Sequence, residues 1–162
     1  MNLINKNRHI TIITMTTANI YLNFNGTCEE AFNFYRSVFG GDFSYLGRFG
    51  DMPPMEGVSM DETMARRIMH VALPMGGDTL LMGSDLGNPE QEACFVQGTN
   101  FSVMLSPGSR EEADRLHHAL SLGGLVTMPM AMMFWGDYFG TLTDRFGIQW
   151  MISFAAGLPD HS

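Results

Sequence analysis

Few residues of this chain have the type and spacing to do chemistry, and His70 is the first of them. It sits in the apolar run from Arg67 to Met75, whose strand-like alternation puts it on one face with Ala72 and Pro74. An imidazole there can move a proton or hold a metal ion, with Asp51 or Glu56 in the preceding loop, or Asp137 further on, as candidate co-ligands. His117 and His118 are adjacent in a helical pattern, point about 100° apart and read as surface residues. His161 falls in the tail. A nucleophile elbow, a phosphate-binding loop and a dinucleotide-binding glycine fingerprint are all missing. Cys28 and Cys94 lack a Cys-x-x-Cys spacing and read as free thiols of a reducing, cytoplasmic compartment. The other concentration of reactive surface is aromatic and sulfur-rich. Met128, Met130, Met132 and Met133 run into Phe134 and Trp135, with Asp137 and Tyr138 just beyond. Such groups stack on flat ligands and adapt to them.

The elements that carry these residues are repeated. Thr27-Cys28-Glu29-Glu30-Ala31 returns as Ser109-Arg110-Glu111-Glu112-Ala113, 82 positions later in a chain of 162. Thr27 with Glu30, and Ser109 with Glu112, have the spacing of a helix-capping box. Ala31, Phe34, Tyr35 and Val38 then mark one buried helix face, as do Ala113, Leu116 and Leu120 in the second copy. Gly40-Gly41 and Gly123-Gly124 stop the two helices. Strands are expected at Ile20 to Phe24, Asp42 to Phe49, and in a hairpin of Arg67 to Met75 with Thr79 to Gly83. The second half repeats them at Asn100 to Leu105, Leu125 to Met130, and in a hairpin of Phe139 to Thr143 with Ile148 to Phe154.

The expected class is therefore α+β, with two βαβββ modules, 15–85 and 99–156, forming a cupped mixed sheet. Residues 86–98 read as a linker and 157–162 as a tail. Gly50 to Ala65 reads as a long loop of the kind that closes sites. Residues 1–14 read as an extension, with an edge strand from His9 to Ile13 as the alternative. Lys6 and Arg8 are its cations, and setting them aside takes the net charge from −8 to −10. So acidic a chain is a poor partner for nucleic acid or anionic lipid, and no apolar run approaches the roughly 20 residues of a membrane span.

Several segments together resemble one known family. Tyr21 to Gly26, Glu30 to Tyr35, Phe39-Gly40-Gly41 and Phe49 to Pro53 are similar to the opening of PhnB-like proteins. Phe134 to Gly140 and Thr143 to Ile152 are similar to that family's closing signature. The resemblance implies membership of the vicinal oxygen chelate superfamily, with glyoxalase I, extradiol dioxygenases and bleomycin resistance proteins. It also implies a cup-shaped cavity and a homodimer.

The superfamily's metal enzymes place His or Glu ligands on the first and last strands of each module. Carried onto this chain, those positions fall at Ile20 or Leu22, Leu81 or Met82, Asn100 or Ser102, and Trp150 or Met151. None is an imidazole or a carboxylate, so the expectation is no cofactor and no tightly held metal. The expected function is binding of a small molecule in a pocket built from His70, Asn23, Met82, Asn100, Phe134, Trp135, Asp137 and Met151. Asn23 and Asp137 would orient the ligand, and Met82 and Met151 would form an adaptable floor. Trp150 reads as a core residue. The alternatives are a lyase, isomerase or dioxygenase with a displaced divalent metal site, and a dimeric structural protein with a filled cavity. Methyl transfer is set aside, because both Gly-Gly pairs serve as helix stops rather than as a donor-binding loop.

Overall fold

The computed structural model describes residues 18–53 and 60–155. The expected N-terminal extension, its edge-strand alternative, the C-terminal tail with His161, and Glu56 lie outside the described residues. The first module runs β1 (Ile20–Phe24), α1 (Cys28–Phe39), β2 (Tyr45–Arg48), α2 (Glu62–Arg66), β3 (Ile68–Gly76) and β4 (Thr79–Asp85). A short helix, α3 (Pro89–Cys94), occupies the expected linker. The second module runs β5 (Val103–Leu105), α4 (Arg110–Ser121), β6 (Leu125–Met132), β7 (Asp137–Thr143) and β8 (Gln149–Ala155). Both sheets are mixed, in the order β1-β4-β3-β2 and β5-β8-β7-β6, with the first pair of each parallel and the rest antiparallel. This is the expected α+β pair of βαβββ modules. Among the described residues no helix is long and apolar enough to cross a membrane.

Several local expectations change. The strands expected at Asp42 to Phe49 and Asn100 to Leu105 shrink to β2 and β5, while β6 extends to Met132. The long loop holds a 3-10 turn at Phe49–Asp51 and the helix α2. Thr27 makes no side-chain cap. The Asp85 carboxylate, at the end of β4, takes its place by accepting from the backbone N–H groups of Gly26, Cys28 and Ile68. A negative group at a helix N-terminus also suits the helix dipole. In the second module Ser109 does cap α4, accepting from Glu112 N–H at 3.1 Å, but the Glu112 carboxylate turns to Arg115 rather than back to the cap. Gly40 and Gly123 both take positive φ where the helices stop (80° and 77°).

The buried stripe of α1 is Cys28, Ala31, Phe32, Tyr35 and Val38, so Phe32 takes the place expected for Phe34. Phe34 is half-buried, because α1 packs in two directions at once. Phe32 faces its own sheet, edge-on to Phe24. Phe34 packs on Phe146, and Tyr35 and Phe39 pack on Trp150, all from the second module. His117, expected at the surface, is buried, with Nε2 at 3.2 Å from the Met128 carbonyl of β6.

The modules are joined at Asp144, in the β7–β8 turn. Its buried carboxylate accepts from the Tyr35 hydroxyl (2.8 Å) and the Trp150 indole N–H (2.9 Å). It also accepts from the backbone N–H groups of Phe146 and Ile148. Burial, with the Asp144 charge alongside, pushes the Tyr35 phenol far above its ordinary value and keeps it a neutral donor. The helix-facing sides of both sheets thus share one core, containing Phe24, Phe32 and Leu81 from the first module and Leu120, Trp150 and Ile152 from the second. The opposite side of each sheet is turned away from that core.

Removing one of four donors to Asp144 should cost less than removing the acceptor. Tyr35→Phe is expected to lower unfolding free energy by about 1–2 kcal/mol, and Asp144→Ala by about 3 kcal/mol or more, in urea unfolding. An Asp144→Ala effect below that of Tyr35→Phe would show that the junction is held elsewhere.

Candidate functional site

Strand alternation, checked against burial, sorts the side chains of each sheet. In the first sheet Leu22, Phe24, Val71 and Leu81 face the helices, while Tyr21, Asn23, His70 and Met82 stand on the open side. Three of the expected pocket residues therefore share one face. Two tyrosines that the sequence reading did not single out join them. Tyr21 stacks on His70 (centroids 5.6 Å apart, planes at 19°), and Tyr45 lies against it (5.5 Å, 39°). The Tyr21 hydroxyl is 3.2 Å from His70 Nδ1. Gly47, opposite His70 in the ladder, makes room for this arrangement: a Cβ there would stand 2.6 Å from the Tyr45 hydroxyl. The signal available in the sequence was the i, i+2 pair Tyr21 and Asn23 on β1.

In the second sheet Val103, Tyr138, Leu142, Trp150 and Ile152 face the helices. Trp150 is fully buried, as expected of a core residue. Tyr138 is no flat wall of a pocket: it is buried, its hydroxyl donates to Asp114 and its ring lies under the Arg110 guanidinium. The open side carries Met104, Asp137, Phe139, Thr141, Met151 and Ser153. Asp137 Oδ2 accepts from the Ser153 hydroxyl at 2.8 Å. Beside that pair lies a hollow of ≈ 370 Å³, walled also by Met104, Ser106 and Pro107. Asn100 is exposed ahead of β5. Trp135 is half-exposed in the β6–β7 turn, edge-on to Phe139, and Phe134 is 95 % exposed at its tip.

Five of the eight expected residues thus divide between two open faces, His70, Asn23 and Met82 on one and Asp137 and Met151 on the other, while Phe134, Trp135 and Asn100 lie in turns and loops beside the second sheet. A further concavity is lined by members of two charge pairs. A crevice of ≈ 530 Å³ near Gly26 is lined by Glu29, which pairs with Arg48, and by Arg67, which pairs with Glu92. The Arg48 hydrogen bond holds the Glu29 carboxyl below its ordinary value. Cys28 is fully buried, and burial above all, then Asp85 and Glu29, pushes its thiol up and disfavours the thiolate.

The donor set does not suit the metal of the superfamily's enzymes. Ile20, Leu22, Leu81 and Trp150 point to the core, so the open positions on those strands include Tyr21, Asn23, Met82, Ser84, Met104, Met151 and Ser153. These offer a phenol, an amide, hydroxyls and thioethers, where a divalent first-row ion takes imidazole and carboxylate. Among the described residues no three His, Cys, Asp or Glu side chains converge.

The family model described as 3-demethylubiquinone-9 3-methyltransferase matches residues 16–153. The chain belongs to that family. The crystal structure of protein PA1353 from Pseudomonas aeruginosa is 36% identical, with TM-score 0.71, over 86% of this chain and 98% of that one. A PhnB protein from Bacillus cereus is 24% identical, with TM-score 0.66, over 86% and 100%. A glyoxalase/bleomycin resistance protein/dioxygenase family enzyme from Burkholderia phytofirmans shares the fold at 14% identity, with TM-score 0.55, over 85% and 96%. The fold is thus shared with the PhnB protein and with the glyoxalase/bleomycin resistance/dioxygenase enzyme.

The Tyr45–His70 contact depends on a bare Gly47. Gly47→Ala should leave the fold intact, at a cost of about 1 kcal/mol or less, while swinging Tyr45 off the imidazole. The measurement is the proton NMR shift of the His70 ring, which should lose the ring-current displacement from Tyr45. An unchanged His70 shift would mean the cluster does not need the glycine.

Proposed function

We propose that the protein binds a flat small molecule in a cup made by two copies of the chain. The open face of the first sheet in one copy would lie against the open face of the second sheet in the other, with no tightly held metal. One observation carries this reading. The side chains suited to a ligand, the Tyr21–His70–Tyr45 cluster and the Asp137–Ser153 pair, stand on faces turned away from the shared core. Among the described residues nothing in a single chain covers either face, and an apolar sheet face calls for a covering layer. Exposed Phe134 and Trp135, on the rim of the second sheet, suit an interface between copies.

Light scattering on the eluting protein should give a dimer of the 18.0 kDa chain. Trp135→Arg should shift it toward monomer and weaken binding of a flat aromatic probe such as methylnaphthalene. A monomeric wild-type chain that binds the probe normally would overturn the two-copy cup.

Two enzyme readings each have an observation behind them. The family's description points to methyl transfer, and His70 beside two tyrosines is a possible start for a displaced metal site. A ligand that binds only the folded state must stabilise it, by about 2.7 kcal/mol at a hundred times its Kd. Neither S-adenosylmethionine nor manganese, nickel or zinc ions are expected to raise the melting temperature. A clear rise with the methyl donor would favour methyl transfer, and one with a metal that is lost in His70→Ala would favour the displaced site.

A further inference from the structure

We infer that the ligand of this cup is a flat organic cation, and that Asp137 selects for its charge. The inference rests on the two-copy cup and adds the ligand's class to it. Its basis is where the chain keeps its positive charges. Past residue 17 the cations are seven arginines, with no lysine. Four are paired with carboxylates of helices: Arg48 with Glu29, Arg66 with Glu62, Arg67 with Glu92 and Arg115 with Glu112. The other three lie over rings on the helix side, Arg36 over Phe43, Arg110 over Tyr138 and Arg145 over Phe34. Among the described residues neither open face presents a lysine or an arginine.

The formal charge those faces do present is negative. Asp137 stands at the ≈ 370 Å³ hollow, half-buried and oriented by Ser153. In the proposed two-copy cup the ring faces of Tyr21 and Tyr45, which stand against His70, would lie opposite, a quadrupole that attracts cations. An anionic ligand would give up its water and meet no positive group in return. A flat cation would stack on the tyrosines and set its charge toward the carboxylate, inside the field of a chain with net charge −8.

Three flat bicyclic probes of similar size separate charge from shape: N-methylquinolinium, methylnaphthalene and naphthoate. Isothermal titration of the full-length dimer should find the cation bound about tenfold more tightly than the neutral probe, with naphthoate undetectable. Asp137→Asn should weaken the cation about tenfold and the neutral probe far less. In the wild-type protein, raising the salt concentration should weaken the cation alone, a readout that does not depend on the variant folding. Equal binding of cation and neutral probe, tight naphthoate, or an Asp137→Asn variant that keeps the cation's advantage would each overturn the charge selection while leaving the cup standing. Failure of all three probes to bind would overturn the cup and this inference together.

Discussion

The buried carboxylate of Asp144 is the constraint on which the rest of the arrangement depends. It collects donors from α1 of the first module and from the hairpin and last strand of the second. An unpaired carboxylate in that position would be costly, so its donors must all arrive together. That requirement brings the α1 side of one module against the β8 side of the other. The helix-facing surfaces then become a common interior, with Tyr35 edge-on to Trp150 at its centre. Everything on the far side of each sheet is displaced outward by the same choice. Within one chain the open sides of the two sheets therefore both face away from the shared core.

The two modules reach the same topology by different local means. The first helix is capped across the sheet by Asp85, and the second is capped locally by Ser109. In the first module a long-range carboxylate ties β4, the β1–α1 turn and the start of β3 into one hydrogen-bonded group. In the second, the equivalent rigidity comes from the β7–β8 turn, where Asp144 fastens its own backbone before reaching Tyr35. Duplicated sequence thus preserves the element order while the polar contacts that fix each copy diverge.

This divergence explains what could be read from the sequence and what could not. The T/S-x-E-E-A repeat and the alternating strands rest on local periodicity, so the order of elements and the pairing of like modules were legible. The cap at Thr27 was misread because its rival, Asp85, is 57 residues away from Cys28 and enters only through the parallel β1–β4 ladder. Phe32 and Phe34 exchanged roles because α1 buries two faces, and a single-stripe template can follow only one of them. His117 was placed at the surface for want of any sign that the Met128 carbonyl would close over it. Of the candidate site, the individual residues were legible but their grouping was not. The division of His70, Asn23 and Met82 from Asp137 and Met151 follows from the packing of one module on the other, which leaves no trace in spacing.

The same packing accounts for the chemistry the open faces lack. An arginine near a helix can satisfy its guanidinium on a carboxylate of the helix's first turn or on an aromatic ring, and this chain does so with each of the seven. Moving one to an open face would leave a charge beside Met82 or Met151 with no partner of opposite sign on its own sheet except Asp137. The metal ligands of the superfamily's enzymes would face a similar problem here, since a cluster of carboxylates needs a cation to hold it together. A face made of tyrosine, histidine, methionine and hydroxyl groups avoids both costs. It can remain partly exposed in a single chain and still offer ring faces and thioether surface to a ligand. Asp137 is tolerable on such a face because Ser153 donates to it and water can reach the remainder. Among the described residues it is the one formal charge on the open side of its sheet.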